Sequence, residues 1–330
     1  MRVDIGVFAH NEAQGIAAML ERLLAQDILH DPAFSVRVLV LANGCLDATV
    51  ARARATGVEV ADLPEGGKSR TWNRFVHDLA RADAHVLVFS DADIEFCDAG
   101  ALRRLILAMG SRWVINSQPV KDIVARPEGL SGMDKIIAAA GGGLDDWRSA
   151  ICGQLYAMPA KIARRFHLPV GLPVEDGFLR AMVLTDALTG PEDFSRIGGA
   201  DGVSHIYASE RSIAALIRHQ VRIVIGSAVN FAGFGTLEAV PVSERHTELA
   251  RAAADPRWLA TALRRGLPRW PFGYVPWHFL TKRLVRAATN PRDLLRPKRL
   301  LVTVLGFCFD LVVFCRAQWA MWRGTGVGHW

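Results

Sequence analysis

Cysteine is scarce in this chain: five residues among 330, at Cys45, Cys97, Cys152, Cys308 and Cys315, with no Cys-x-x-Cys pair. That scatter excludes a structural zinc ribbon and a disulfide scaffold, and it fits reduced thiols in a cytosolic enzyme. No repeat of fixed period and no low-complexity tract is present, which sets aside collagen-like and disordered classes. The opening MRVDIGVFAHNEA has too short an apolar run for a signal peptide, and Asp4 interrupts it. The main domain is therefore expected in the cytoplasm. What the chain has in quantity is apolar mass, 51% of residues against 22% charged. That suffices for one large domain with a deep core, or a domain plus an extension.

Charge is unevenly placed. From residue 257 to the end stand thirteen Lys or Arg against only Asp293 and Asp310, whereas residues 1–256 carry an acidic excess of five. The basic end also holds six of the nine tryptophans: Trp258, Trp270, Trp277, Trp319, Trp322 and Trp330. Cations with tryptophan suit an anionic bilayer surface. Nucleic acid is the rival partner for a basic segment. The long apolar runs between the charges favour lipid.

The first half alternates strand and helix signals. VDIGVFA, VRVLVLA, VEVADL and HVLVFSDAD read as strands, with AQGIAAMLERLLAQ, LDATVARARAT and TWNRFVHDLARA as helices between them. Asp47 stands where it can cap the second helix. Such alternation implies a parallel sheet with right-handed crossovers, and ligands bind beyond the carboxyl ends of its strands. Asn11, Asn43, the loop 66–68, Asp91 and Asp93 all fall at that edge. Further on, VINSQPV, QLYAMP and RIVIGSAVNF read as strands, EDGFLRAMVLT as a helix, and the glycine run 141–143 as a turn or flexible loop. Beyond residue 240 the chain reads as helical.

Three segments carry chemistry. Ser90-Asp91-Ala92-Asp93 leaves a hydrophobic strand with two carboxylates one residue apart, hard oxygen ligands suited to Mg²⁺ or Mn²⁺ beside a phosphate. Taken alone it also reads as a solvated acidic turn. Glu175-Asp176 opens a helix, where adjacent acids can merely favour the dipole, or where Asp176 can act as general base. Leu63-Pro64-Glu65-Gly66-Gly67-Lys68-Ser69 allows close backbone approach to phosphate and adds a compact cation. It is similar to a P-loop, but Asp62 stands where that motif needs glycine.

In their order and spacing these segments resemble the family-2 glycosyltransferases, across residues 3–235. AHNEAQGI is similar to the family's opening strand and Asn-Glu loop, VLANGCLDAT to its second strand and turn, EGGKSRTWN to its Gly-Lys…Asn segment. SDAD is similar to its Asp-x-Asp motif and VEDGFLR to its Glu-Asp motif. The resemblance implies an α/β GT-A fold, a Rossmann-like, mostly parallel sheet flanked by helices, with a basic and apolar helical extension behind it. It implies a catalytic domain at 1–240, with a nucleotide-binding half at 1–110 and an acceptor half at 111–240; the basic, tryptophan-rich tail adds the expectation of a membrane-associating extension at 241–330. Ala9, Asn11, Glu12, Asn43, Lys68, Asn73, Asp91, Ala92 and Asp93 would border the nucleotide-sugar donor. Asp93 and Asp91 would hold Mg²⁺ or Mn²⁺, Asp176 would be the base, and Glu175, Gly153 and Gln154 would face the acceptor. The activity implied is inverting transfer of one sugar from a nucleotide donor to an acceptor hydroxyl; the tail alone suggests a lipid-linked or membrane-proximal glycan as that acceptor. Two features depart from the family. Ala42 stands where many members place a uracil-contacting Asp, and no Gln-x-x-Arg-Trp segment of the processive synthases is present.

His205 and His246 follow the second acidic motif, and either is a candidate to cover the diphosphate or ligate metal; Arg211 and Arg245 are candidate phosphate contacts. His10 reads as a strand-end residue. The apolar run 300–315 is flanked by Arg299 and Arg316 and interrupted by Asp310. It reads as a helix packed under the domain, an interfacial helix, or a full span through AQWAMW. Two other function classes remain open on sequence: a P-loop-like nucleotide-hydrolysing enzyme and a non-catalytic nucleotide-sugar-binding protein. A nucleotidyltransferase would carry a richer glycine loop after the first strand.

Overall fold

The computed structural model describes residues 1–132, 134–135, 146–266, 273–289 and 297–324. The glycine run 141–143, Trp270 and Trp330 lie outside them. The strands are β1 (Arg2–Ala9), β2 (Ser35–Asn43), β3 (Glu59–Leu63), β4 (Val86–Asp91), β5 (Ile94–Phe96), β6 (Val114–Lys121), β7 (Leu155–Pro159) and β8 (Ile197–Tyr207). They form one sheet in the order β3-β2-β1-β4-β7-β6-β8-β5. β1 pairs in parallel with both β2 and β4. It is buried along its length after Arg2, as a central parallel strand covered on both faces must be. Asp4, the one carboxylate in this strand, is buried and held by Arg81 at 2.6 Å. β7 runs antiparallel between β4 and β6.

The helices are α1 (Ile16–Leu24), α2 (Thr49–Ala55), α3 (Lys68–Asn73), α4 (Ala101–Leu107), α5 (Asp122–Ala125), α6 (Ala160–Ala163), α7 (Glu175–Thr185), α8 (Ile213–Glu238), α9 (Arg245–Ala254), α10 (Trp258–Gly266), α11 (His278–Thr289) and α12 (Pro297–Trp322). Asp47 accepts from the Thr49 amide at 3.0 Å and so starts α2. The helix expected over 71–82 is present as far as Leu79, but its α-helical hydrogen bonding ends at Asn73. Residues Arg74–Leu79 follow as a π-turn in which the Ala80 amide reaches Phe75 O at 2.8 Å.

One expectation fails clearly. RIVIGSAVNF is no strand: it lies inside the 26-residue α8. Its β-branched residues suggested extended chain, but the buried positions Ile225, Ala228, Val229 and Ala232 recur at three- and four-residue spacing, the period of a helix face. Ser212 caps α8 by accepting from the Ala215 amide at 3.1 Å.

One apolar cluster runs from Phe89 and Tyr156 through Phe178 to Trp258, Val313 and Phe314, so the C-terminal helices share the core of the sheet. Trp258, expected at a bilayer, is instead buried and donates from its indole to Glu248 at 2.6 Å. α12 packs on α8 and α11, with buried Asp310 bound to Arg283 at 2.5 Å. Among the described residues it is the one helix long and apolar enough to cross a membrane, with a mean hydropathy of 2.1 over its best window.

Candidate active site

Three neighbouring strands end together, β1 at Ala9, β2 at Asn43 and β4 at Asp91, and their loops build the rim of the site. Asn43 is buried, and its side-chain oxygen accepts from the Gly67 amide at 2.7 Å and the Thr71 hydroxyl at 3.1 Å. It thereby fixes the Gly-Gly-Lys loop to the sheet. His10 donates from Nδ1 to the Asn43 carbonyl at 2.6 Å, and its Nε2 meets the Asn11 amide nitrogen at 3.1 Å. His10 is thus a tie between two loops. Asn11 takes a left-handed conformation, φ 56°, and accepts from the Leu46 amide at 2.8 Å. Gly44 must be glycine: it also has positive φ, and a Cβ there would meet Gly66 Cα at 2.9 Å.

Lys68 joins the two acidic motifs. Its ammonium lies 2.7 Å from Asp91 Oδ1 and 3.3 Å from Glu175 Oε1, and it donates to the Gly153 carbonyl at 3.2 Å. Burial works against its charge, but the Asp91 and Glu175 carboxylates outweigh that and raise its pKa. The cation is thus held by two carboxylates and a carbonyl, and ties the second acidic motif to the first.

The carboxylates crowd one another. Glu12 is half-buried and pushed up to about 7, by desolvation first and then by Asp93, Asp47 and Asp91. Asp91 rises to about 6 through burial, with Lys68 opposing and Asp93 and Glu175 adding to the shift. Asp176 also rises to about 6, through burial and the adjacent Glu175, against Lys68 and its bond from the Gly177 amide at 2.7 Å. Asp93 is exposed at the mouth of this group. Asp91 thus links two groups of charges, Glu12 and Asp93 on one side and Lys68, Glu175 and Asp176 on the other. Excess negative charge at the end of a sheet is what a divalent cation would neutralise.

The remaining expected residues divide. Gly153 sits against Asp176, and its carbonyl is the Lys68 acceptor just described. Gln154 accepts from the Asp91 amide through its backbone at 2.8 Å, while its side chain meets His205 Nε2 at 3.1 Å. Ala9 and Ala92 are buried backbone positions; the Ala92 amide donates to Phe8 O at 3.0 Å. Asn73, expected beside the donor, is half-buried and clamps a loop: it donates to Leu168 O at 2.7 Å and accepts from Leu168 N at 2.9 Å.

His205, a candidate to cover the diphosphate or ligate metal, has both ring nitrogens engaged here. It is fully buried in β8, its Nδ1 meets the Ser117 hydroxyl at 3.0 Å, and Gln154 takes the other nitrogen. Burial lowers its pKa to about 4, which keeps it a neutral packing residue behind Gln154. His246 binds Arg165 O and neighbours Asp186, just past the end of α7 and about 15 Å along that helix from Glu175. Arg245 bonds the carbonyls of Leu188 and Val240, and Arg211 pairs with Asp122 and Asp134; neither is a phosphate contact in this arrangement.

Arg222 was not expected at the site. It stands on α8 one turn before Gly226, where a Cβ would lie only 2.3 Å from Val174 Cγ2, and its charge favours the ionised form of Asp176. Reading its segment as a strand hid it; the small residues at helical spacing were the available signal.

With this geometry in place, comparison with known proteins is informative. The model of glycosyl transferase family 2 matches residues 4–129. No curated protein sequence matches the chain. Among solved structures, a mannosyltransferase from Pyrobaculum calidifontis, in complex with GDP-mannose and Mn²⁺, is similar over 96% of this chain and 87% of its own, with TM-score 0.54 and 16% identity. Glucosyl-3-phosphoglycerate synthase from Mycobacterium tuberculosis, with Mn²⁺, UDP-glucose and phosphoglyceric acid, covers 73% of this chain and 80% of its own, with TM-score 0.47 and 19% identity. The fold is GT-A, as its mixed eight-stranded sheet and the likeness to the mannosyltransferase agree.

Proposed function

We propose that this chain, which carries a family-2 glycosyltransferase domain on the GT-A fold, transfers a single hexose from a nucleoside-diphosphate sugar to an acceptor hydroxyl with inversion at the anomeric carbon. The observation that carries this reading is the bridge from Asp91 through Lys68 to Glu175, which puts the donor-side and base-side acids in one cluster. Residues 1–240 would be the catalytic domain and 241–330 the extension that holds the enzyme at the inner face of the cell membrane, next to a lipid-linked or membrane-proximal glycan acceptor.

The nucleotide would lie along the rim made by Asn11, Glu12 and Asn43. Asp93 and Asp91, backed by Glu12, suit Mg²⁺ or Mn²⁺ as hard oxygen donors, and burial first, then their crowding, raises the pKa of Glu12 and Asp91. A mannosyltransferase of the same fold that holds GDP-mannose and Mn²⁺ supports this pairing. A divalent cation there supplies positive charge against the departing diphosphate. Asp176 removes the acceptor proton during attack; its raised proton affinity suits that task near neutral pH. Lys68 keeps Asp91 and Glu175 in register, so both reactants meet pre-positioned groups.

Thermal stability of the full chain against a panel of nucleotide sugars, with and without Mn²⁺, identifies the donor, because ligand bound only by the folded state raises stability by about 2.7 kcal/mol at a hundredfold excess over Kd. The Asp176→Asn variant is expected to retain that stabilisation and to lose turnover. Normal turnover in the variant removes Asp176 as base.

A further inference from the structure

The outer face of α12 is an unbroken apolar stripe. Leu301, Leu305, Cys308, Val312, Cys315, Trp319 and Trp322 recur at alternating four- and three-residue steps, and all are exposed. At 1.5 Å per residue the stripe is about 32 Å long. Exposed Leu300, Val304 and Leu311 widen it beyond a helix-pairing seam, and exposed Leu284 and Val285 continue it onto the adjoining α11. The opposite face of α12 is the packed one, with Asp310, Phe314 and Gln318 turned to α11, α8 and the loop before α11.

We infer that this stripe docks on an anionic bilayer with α12 lying in the plane of the membrane, rather than crossing it. The inference rests on the membrane reading above and specifies its partner and geometry. Charge names the lipid. The sequence from 278 to 323 holds nine Lys or Arg and only Asp293 and Asp310 as acids, and Asp310 is already paired with Arg283. Lys282, Arg286, Arg299, Arg316 and Arg323 are exposed beside the apolar surface. With cations flanking the stripe and no acid among its exposed neighbours on α12, a second copy of this helix would meet like charge.

The orientation follows from the Asp310–Arg283 pair. It joins the middle of α12 to α11, so the two helices move as a unit. Were α12 to span the bilayer, α11 would carry exposed Lys282 and Arg286 into hydrocarbon. Lying flat, α12 sinks its stripe into the headgroup boundary while those cations reach phosphates by their flexible stems.

The test uses the full chain with vesicles of phosphatidylcholine alone or mixed with phosphatidylglycerol. Flotation is expected with the anionic vesicles, weakened by salt, reversed by alkaline carbonate, and about tenfold lower for Leu305→Glu with Val312→Glu. Quenching of tryptophan by lipids brominated near the headgroup rather than at the chain end is expected as well. Equal binding to neutral vesicles with resistance to carbonate, or deep quenching, establishes a span and overturns the inference. So does absence of binding, whether the protein is monomeric or forms a dimer that the paired variant dissolves. Donor-induced stabilisation without vesicles reports the transferase reading separately, and its retention in the paired variant shows that the fold survives.

Discussion

The carboxylate of Asp176 lies over the α-carbon of Gly153, so near that a methyl group on Gly153 would come within 3.3 Å of Asp176 Oδ2 and 3.4 Å of its Cβ. The chain from β7 thus forms a floor under the proposed base, and the floor has no side chain.

Gly153→Ala is expected to shift that carboxylate by a few tenths of an ångström. Because catalysis depends steeply on the placement of reacting groups, kcat should fall by about tenfold while donor affinity holds. Steady-state kinetics with a separate donor-binding isotherm check this; a matching loss in donor affinity would point instead to a general disturbance of the rim.

Acid should silence the enzyme in a defined range. Asp176 is pushed up to about 6 by burial and by Glu175, and a base must be ionised to work. The rate is expected to drop about tenfold per pH unit below that value and to level off above it. Stability moves the other way. Asp176 binds its proton more tightly in the folded chain than at its ordinary 3.8, so its contribution is complete below that pH and is lost as pH rises through about 6. A pH–rate profile with parallel denaturation midpoints measures both, and a rate independent of pH between about 5 and 8 would contradict the assignment.

Removal of the exposed acid should separate metal from nucleotide. Asp93→Asn is expected to abolish the Mn²⁺-dependent part of donor stabilisation and to leave the metal-free part in place. It should also lower the pKa of Glu12, since the Asp93 charge helps to raise it. Calorimetric titration of Mn²⁺ in the presence of donor decides the first point. Unchanged metal dependence would move the cation elsewhere.

Asn73 has two candidate roles, the donor contact suggested by the sequence and the loop clamp seen in the structure. Its side chain holds Leu168 by both amide and carbonyl, so Asn73→Ala strands two backbone groups. A loss of about 1–3 kcal/mol in stability is expected, with donor affinity intact at temperatures where the variant is folded. Denaturant unfolding and donor titration together check it. A selective loss of donor affinity would restore the nucleotide-binding assignment.

Much of the catalytic half was legible because its signals are local. VRVLVLA ends at Asn43 and HVLVFSD ends at Asp91, and strand ends in a parallel sheet fall together whatever the details. The tertiary partners of other residues were not legible. His205 and Asn73 have residue types that suit a site, yet their partners Gln154 and Leu168 lie 51 and 95 residues away in sequence. Nothing local distinguishes such a side chain from one that meets a ligand. In α8 a run of Val and Ile carried strand propensity, but packing against Val174 required a helix with glycine at the crossing, and tertiary contact overrode propensity. Arg222 disappeared with that misreading.

The glycine crossing has a mechanical consequence. α8 runs 26 residues, about 39 Å, from a capped start at Ser212 to Glu238. It touches the chain two residues before Asp176 at Gly226 and holds the same chain through Asn230, which donates to Val174 O at 3.1 Å. Its flank bears α12. A rod gripped at both places transmits strain between them, so a tilt imposed on the outer helices is expected to displace Asp176, the proposed base.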